Sequence, residues 1–490
     1  MQCPFCLIIL NFSIAFSMKL TFWGATRQVS GSMFLLEFDD EYKVLIDCGT
    51  DLERENNPEK PKLEYGIFPF DPSLINLIIL THAHIDHSGQ IPNLYKEGFE
   101  GQVLCTKSTM ELSELLLLDS ASLNQRKFKM VHDSKKRSKK RKDIDTRELY
   151  LERQVKEALE NFVPIPFDQR FKFKDDGYVT FIPAGHLLGA AHLYIEVWEN
   201  GKKKTLGFSG DIGRRNYPLL IDPQPLPPVD YLITETTYGD RHHIDQDDAE
   251  EMLAQIIKKA CIDIPGRLII PSFSVGRTQA MLYTLNRLYT NKGFTPIKVF
   301  TDSPLAKASS RVYERGLRLL NKNARTFQEE NESLFDFENL VYLESNQASK
   351  AVSNHSEPCI IISASGMVQG GRIEHHIEAN ISNPYATILM VGYASEGTLG
   401  WKLLNGERTE LSIKGQKYPV NATIMRIDVF SGHGDFKDLT NFVHSQDKTK
   451  LKNIFLVHGE YLTMQNFKTT LETQGYNQVE IPDKGQTYEL

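Results

Sequence analysis

HAHIDHSG, at residues 82 to 89, follows directly on the apolar run LINLIIL at 74 to 80. The run is short, continuous and β-branched, so it reads as a buried strand, and the histidines then fall on a loop at its carboxyl end. On such a loop His82 and His84 point the same way, while Asp86 and His87 follow one turn later. Imidazole and carboxylate are the ligands zinc prefers, and three protein ligands plus a water make a catalytic site. Three histidines and an aspartate within six positions are enough for two neighbouring metal ions to share.

One loop cannot close such a site, and the rest of the chain offers further groups in the same setting. AGHLLGAAH (184–192) carries His186 after the strand-like YVTFIPA, and GFSGDIG (207–213) carries Asp211 in a glycine-flanked turn. YLITETTYG (231–239) carries Glu235, FSGHGD (430–435) carries His433, FLVHGE (455–460) carries His458, and VLIDCG (44–49) carries Asp47. A single histidine of this kind is as easily structural as functional. Six acids and imidazoles, each at the end of a strand-like segment, imply two-metal hydrolysis. Cys48, beside Asp47, reads as a small buried residue rather than a ligand.

In this order the motifs resemble those of the metallo-β-lactamase superfamily, and specifically its β-CASP ribonuclease branch. That branch includes the endonuclease subunit of the eukaryotic polyadenylation machinery, ribonuclease J and single-chain prokaryotic ribonucleases. The resemblance runs from about Met18 to the C-terminus, through IIPSFSVGRTQ (269–279), TDSPLA (301–306), ISASGMVQGGR (362–372) and GYASEGTLG (392–400). These segments are most similar to the single-chain prokaryotic members. The resemblance implies an α/β fold, a metallo-β-lactamase αββα sandwich with an inserted α/β β-CASP cap domain. It implies that His82, His84 and His186 hold a first zinc, that Asp86, His87 and His458 hold a second, and that Asp211 bridges them, with manganese an acceptable substitute. A hydroxide acidified by both ions would attack phosphorus, which makes Asp86 part of the catalytic group. His433 would protonate the leaving oxygen, and Glu235 would orient it and raise its pKa. Asp47 would stand behind the ligands and hold the histidine loop.

The order of the motifs also sets the domain plan. Residues 1–17 are expected to be a non-native or disordered extension, since their apolar stretch is too short to span a bilayer and no Lys or Arg precedes Lys19. A centre that draws on His433 and His458 requires 424–490 to fold with 18–238, so 239–423 is the inserted domain. Its alternating helix and strand patterns suggest a parallel sheet. Within it, Arg277 enters a helix behind Gly276, where free N–H groups and a guanidinium make an anion site. In ISASGMVQGGR, Ser363, Ser365 and Gly366 let backbone amides approach a phosphate that Arg372 would clamp. These residues are the expected RNA contacts. KFKMVHDSKKRSKKRK (127–142) holds nine Lys or Arg and one Asp. It reads as a charged loop, solvated or ordered on an RNA backbone.

At 490 residues and 41 % hydrophobic content, the chain can bury two domain cores. Six scattered cysteines argue against a disulfide scaffold and suit a reducing, cytoplasmic setting. A net charge of −7 neither favours nor bars RNA, because a polyanion responds to the local cleft. The expectation is a metal-dependent ribonuclease with RNA as partner, no membrane, and a monomeric or homo-oligomeric state. A glyoxalase II-type thioesterase shares HxHxDH but lacks the insert with its GRTQ and SGMVQGGR segments. A DNA nuclease of the same branch is disfavoured because the resemblance links a histidine at position 458 to RNA-acting members. A non-catalytic subunit would have lost ligands. Cleavage from within the RNA or from its 5′ end is left open.

Overall fold

Two seven-stranded sheets carry the candidate metal-ligand motifs. The first runs Gln486–Glu489, Lys19–Phe22, Phe34–Glu37, Lys43–Ile46, Leu77–Ile79, Gln102–Cys105 and Phe162–Pro164. The second runs Val479–Glu480, Asn453–Val457, Tyr231–Glu235, Lys202–Phe208, Ala191–Glu199, Gly177–Pro183 and Phe171–Lys174. This computed structural model describes residues 17–38, 41–52, 67–136, 146–199, 201–243, 249–353, 355–392, 394, 397–406 and 409–490. The expected extension at 1–17 therefore lies outside the described residues, apart from Ser17.

Period-two alternation explains how the sheets stack. Phe34, Leu36, Val44 and Ile46 face a core shared with Phe181, Leu193, Ile195, Phe208, Ile233 and Phe455 of the second sheet. Leu35 and Leu45, one position out of phase, pack instead under helices, against Ile91, Leu94 and Ala158. On the far side Leu232, Ile454 and Leu456 meet Leu439, Phe442, Phe467 and Leu471 of the helices Phe436–His444 and Tyr461–Thr473. The order is helix, sheet, sheet, helix. Phe22 sits in the middle with ring centroids 5.1 Å from Phe455 and 5.8 Å from Phe34, and its truncation to Ala should cost ~3–5 kcal/mol.

The segment after the insertion completes both sheets. Gln486–Glu489 pairs antiparallel with Lys19–Phe22, and Asn453–Val457 pairs parallel with Tyr231–Glu235. The insertion forms a third sheet of six parallel strands, ordered Leu340–Tyr342, Lys298–Asp302, Cys359–Ser363, Arg267–Pro271, Ala386–Met390 and Thr423–Arg426. The last strand carries this cap beyond the expected boundary at 423, because the backbone of Thr423–Arg426 is bonded to Ala386–Met390. Cap and sandwich share buried apolar contacts: Leu187 and Leu188 join the cluster of Val275, Tyr313 and Leu320. An apolar junction of this kind holds the cap against the sandwich.

Two local expectations are corrected. LINLIIL is a strand only over Leu77–Ile79. Asp71 caps a tight turn at Pro72–Leu74 by accepting from the Ser73 N–H, and Asn76 Oδ1 accepts from the Lys43 N–H at 2.7 Å, leaving Leu74 54 % exposed. The basic run is not a loop where it is described, since helix Lys107–Lys136 continues through 127–136. Lys and Arg are good helix formers, so density of charge alone does not break the helix. Residues 137–142 of that run lie outside the described residues. Among the described residues no helix is long and apolar enough to cross a membrane.

Candidate metal centre

Parallel and antiparallel pairing bring the ends of six strands to one edge of the sandwich. Asp47 follows Lys43–Ile46, His82 and His84 follow Leu77–Ile79, and His186 follows Gly177–Pro183. Asp211 follows Lys202–Phe208, Glu235 ends Tyr231–Glu235, and His458 follows Asn453–Val457. Asp86 and His87 sit on the single turn Ile85–Ser88. That turn is packed so closely that a Cβ on Gly49 would stand 1.7 Å from the Asp86 carbonyl oxygen. Asp47 (φ 56°) and His458 (φ 51°) occupy the left-handed region, which is uncommon for non-glycine residues and recurs at functional sites.

Three ring nitrogens converge. His82 Nε2 and His186 Nε2 each lie 3.1 Å from His84 Nδ1, and both lie 3.4 Å from Asp211 Oδ2. A second group gathers around the other oxygen of the same carboxylate. His87 Nε2 is 3.3 Å and His458 Nε2 is 3.6 Å from Asp211 Oδ1, with Asp86 Oδ2 3.5 Å from His458 Nε2. The Asp211 carboxylate thus spans both groups.

The opposite ring nitrogens are used to aim these donors. His87 Nδ1–H donates to Asp47 Oδ2 at 2.7 Å, and Asp47 also accepts from the Thr81 N–H and hydroxyl at 2.7 and 2.8 Å. His82 Nδ1 is 3.1 Å from the Thr81 hydroxyl oxygen, His186 Nδ1 is 3.1 Å from the Gly432 carbonyl, and His458 Nδ1 is 3.0 Å from the Thr237 hydroxyl. With those nitrogens protonated, the Nε2 lone pairs of His82 and His186 point inward, and the Nε2 atoms of His87 and His458 face the other Asp211 oxygen. Asp211 Oδ1 and His458 Nε2 are buried and make no hydrogen bond among the described residues. Lone pairs facing one another over 3.1 Å, beside orphaned buried donors, are the arrangement a divalent cation satisfies. The three histidines and Asp211 form one possible ligand set, and Asp86, His87 and His458 form another.

Charge follows the same layout. Burial pushes His82 down to about 3 and His84 to about 4, and it holds His186 well below the usual imidazole value. Burial also opposes the carboxylates, yet His458 and His87 outweigh it and hold Asp211 well below its ordinary range; Asp86 is lowered in the same way. For His87, burial is overcome by Asp211 and Asp47, and the pKa is raised well above normal. His433 lies at the rim with Nε2 4.0 Å from Asp211 Oδ2 and Nδ1 3.3 Å from Glu235 Oε1. Burial disfavours its cation, but Glu235 overrides that and lifts the pKa to about 9. Glu235 is wholly buried and itself fixed, accepting from the N–H groups of Ile212 at 2.5 Å and Thr237 at 3.3 Å.

Three family models match the chain: the metallo-beta-lactamase superfamily over residues 26–259, the Beta-Casp domain over 278–403, and the Zn-dependent metallo-hydrolase RNA specificity domain over 417–482. Ribonuclease TTHA0252 of Thermus thermophilus is 30 % identical over 444 residues, covering 90 % of this chain and 93 % of that protein. The chain belongs to the β-CASP ribonuclease family. It is similar also to the transcription termination factor FttA of Methanosarcina mazei, at 28 % identity over 90 % of this chain and 67 % of that one. Cleavage and polyadenylation specificity factor 73 of Drosophila melanogaster is 28 % identical over 92 % of this chain and 61 % of its own length. A crystal structure of a protein of unknown function from Enterococcus faecalis V583 shares the fold, with a TM-score of 0.54 and 13 % identity over 97 % of this chain and 100 % of that one. As a β-CASP member the chain is a metal-dependent hydrolase of the nuclease class, and its His and Asp clusters suit a divalent metal.

The expected phosphate contacts of this β-CASP protein are arranged differently from one another. Arg277 opens helix Arg277–Lys292 behind Gly276 (φ 83°), but its guanidinium turns back to the sandwich. Nε donates to the Phe430 carbonyl at 3.2 Å, and the group packs on the Phe273 ring and on Gly392. Arg372 has its donors engaged within the cap. Nε donates to Asn346 Oδ1, Nη1 donates to Asp302 Oδ1 at 2.7 Å and to the Leu343 carbonyl, and Nη2 donates to the Glu344 carbonyl. Ser363 ends a buried strand and donates to the Asp302 carbonyl, while the Ser365 hydroxyl closes on Gln369. Gly366 lies against the Phe273 backbone, where a Cβ would come to 3.2 Å.

Four supporting residues escape the sequence reading: Thr81, Thr237, Gly432 and His243, whose Nε2 donates to the His433 carbonyl at 2.9 Å. Thr81 adjoins one motif already singled out and Thr237 lies inside another, and that position is the only signal they offer. Cys48 is a buried free thiol in the apolar cluster under the helices.

Proposed function

We propose that this β-CASP protein is a zinc-dependent ribonuclease that hydrolyses RNA phosphodiester bonds with two metals. The carrying observation is the Asp211 carboxylate, whose two oxygens face two separate imidazole groups. His82, His84 and His186 would hold one zinc, Asp86, His87 and His458 the other, with Asp211 between them; manganese fits the same donors. When bound, the metals supply the charge that acidifies a nucleophilic water and offsets charge on the phosphoryl oxygens.

The chain's own residues do the rest. Asp47 and Thr81 fix the rings of His87 and His82, so the ligand field does not have to reorganise. Glu235 and the Gly213–His433 backbone bridge hold the His433 ring at the rim, 4.0 Å from Asp211. Glu235 favours the imidazolium form of His433, whose proton would go to the departing ribose oxygen. Ribonuclease TTHA0252, alike over almost its full length, and the inserted cap against the centre support RNA over a thioester substrate. The buried free thiols Cys48, Cys105, Cys261 and Cys359 support a reducing, cytoplasmic setting.

The test is RNA labelled at either end, with and without a 5′ monophosphate, digested by purified protein before and after chelation. Cleavage lost on chelation and restored by zinc or manganese supports the reading, and the fragment ladder separates internal cutting from trimming. RNA left intact by metal-loaded protein that hydrolyses a thioester would sink it.

A further inference from the structure

Tyr461 and Leu462 open the helix Tyr461–Thr473 and are 43 % and 66 % exposed, although large apolar side chains further along that helix, such as Met464 and Phe467, are buried. They follow the ligand candidate His458 by three and four residues, stretches of chain that span at most about 11 Å and about 14 Å. The loop after Lys19–Phe22 emerges at the same edge and is stitched to this one. Ala25 accepts from the His458 N–H at 2.7 Å, and Gln28 accepts from the Gly459 N–H at 3.1 Å. From that loop the Arg27 guanidinium lies 4.7 Å from the centroid of the Tyr461 ring, and Asp483 holds Arg27 in place at 2.5 Å. Cation and ring thus form a fixed pair, and the loop that supplies Arg27 also carries Ser32, whose N–H donates to the Asp86 carbonyl.

We propose that Tyr461, backed by Arg27 and flanked by Leu462, is a stacking platform for a nucleobase next to the scissile phosphate. The proposal rests on the ribonuclease reading and adds a base-binding subsite to it. Single-stranded RNA is held by stacking of unpaired bases on aromatic rings and guanidinium planes. Such a plate accepts any base, since every base has a π-face, and so fixes where the strand is cut rather than which base is read. One ring and one isobutyl group fall far short of the roughly 800 Å² per partner of a stable protein interface.

The experiment uses an RNA oligonucleotide with a mapped cleavage position and a series in which single bases near that position are removed. With wild-type protein, one abasic position should slow cleavage by about ten- to a hundredfold, the usual worth of one stacked base. Tyr461→Ala should lose the same factor on intact RNA and nothing more on that abasic RNA, while Tyr461→Phe keeps full activity. A small chromogenic phosphodiester, which has no base to stack there, should be cleaved equally by all variants. Additive losses, no loss in Tyr461→Ala, or an equal loss on the small diester overturn the proposal. So does a change in sedimentation of Tyr461→Ala or Leu462→Ala, which would make the plate a contact between copies. If wild-type protein cleaves the small diester but not RNA, the ribonuclease reading itself has failed.

Discussion

The Nε of Arg277 stands 3.2 Å from the carbonyl oxygen of Phe430, three residues ahead of His433. The guanidinium comes from the cap and reaches a loop of the sandwich, and it fits because residue 392 is glycine: a Cβ there would meet Nη2 at 2.5 Å. Arg277 therefore holds the loop that carries the rim imidazole. Loss of a hydrogen bond from a charged donor is worth ~1.5–3 kcal/mol. Arg277→Ala should slow cleavage of RNA and of a small chromogenic diester alike, by at least about tenfold, with metal content unchanged. A loss confined to RNA, with a shallower dependence on salt, would instead make Arg277 a phosphate contact.

His433 and His458 look alike in sequence but stand apart in geometry. His433→Ala should keep both metals and slow turnover by about two to four orders of magnitude, as loss of a positioned acid does. His458→Ala should weaken the site that Asp86 and His87 also serve. Asp211→Ala removes the group both sites share and should cost both metals. Elemental analysis of the three variants checks this, and equal metal loss in His433→Ala and His458→Ala would overturn the assignment.

Asp302 is the hub of the cap. Its buried carboxylate accepts from Arg372 at 2.7 Å, from His376 at 2.7 Å and from Ser349 at 2.5 Å. Breaking a buried pair by removing one partner costs ~3–5 kcal/mol. Asp302→Ala should lower the melting temperature markedly and leave metal content alone. Arg372→Ala should also destabilise the protein, by less, because His376 and Ser349 still serve the carboxylate. Arg372→Ala with unchanged melting and weaker RNA binding would return Arg372 to the role of a phosphate clamp.

That contrast shows what sequence can and cannot carry. HAHIDHSG is legible because its four side chains act from one short loop, and the other ligand candidates because each closes an apolar strand. Arg372 is not: a Gly/Ser turn followed by Arg reads the same whether its partner is a phosphate or an aspartate 70 residues upstream. The supports of the centre are equally hidden, since His186 is aimed by the carbonyl of Gly432, 246 residues away. The basic run misleads for a different reason. Its charge suggested a loop, while the helix propensity of Lys and Arg, continuing the helix begun at Lys107, decides its backbone at least to Lys136. The cap boundary at 423 fell inside a strand because only pairing with Ala386–Met390 assigns Thr423–Arg426 to the cap.

Removing metal should leave a protein with a stability optimum near pH 6.5. Buried His82 and His84 titrate at about 3 and about 4 in the fold, and His186 lies well below its normal value. An unfolded histidine titrates near about 6.5. Between about pH 4 and 6.5 these rings are neutral when folded and protonated when unfolded, so acidification favours unfolding by up to about 1.4 kcal/mol per pH unit for each ring. His433 and His87 add no slope there, being protonated in both states. Above about 6.5 the sense reverses: only the folded state keeps their protons, and that stabilisation is lost as pH rises through about 9 for His433. Asp86 and Asp211, lowered in the fold, contribute only below about pH 4. Melting of chelated protein at pH 5, 6.5 and 8.5 should peak at the middle value, and metal should raise the melting temperature most on the alkaline side, where it meets fewest competing protons. A melting temperature that climbs from pH 6.5 to 5 would mean that His82, His84 and His186 are charged in the fold, and the inward-facing lone pairs on which the metal site depends would be lost with them.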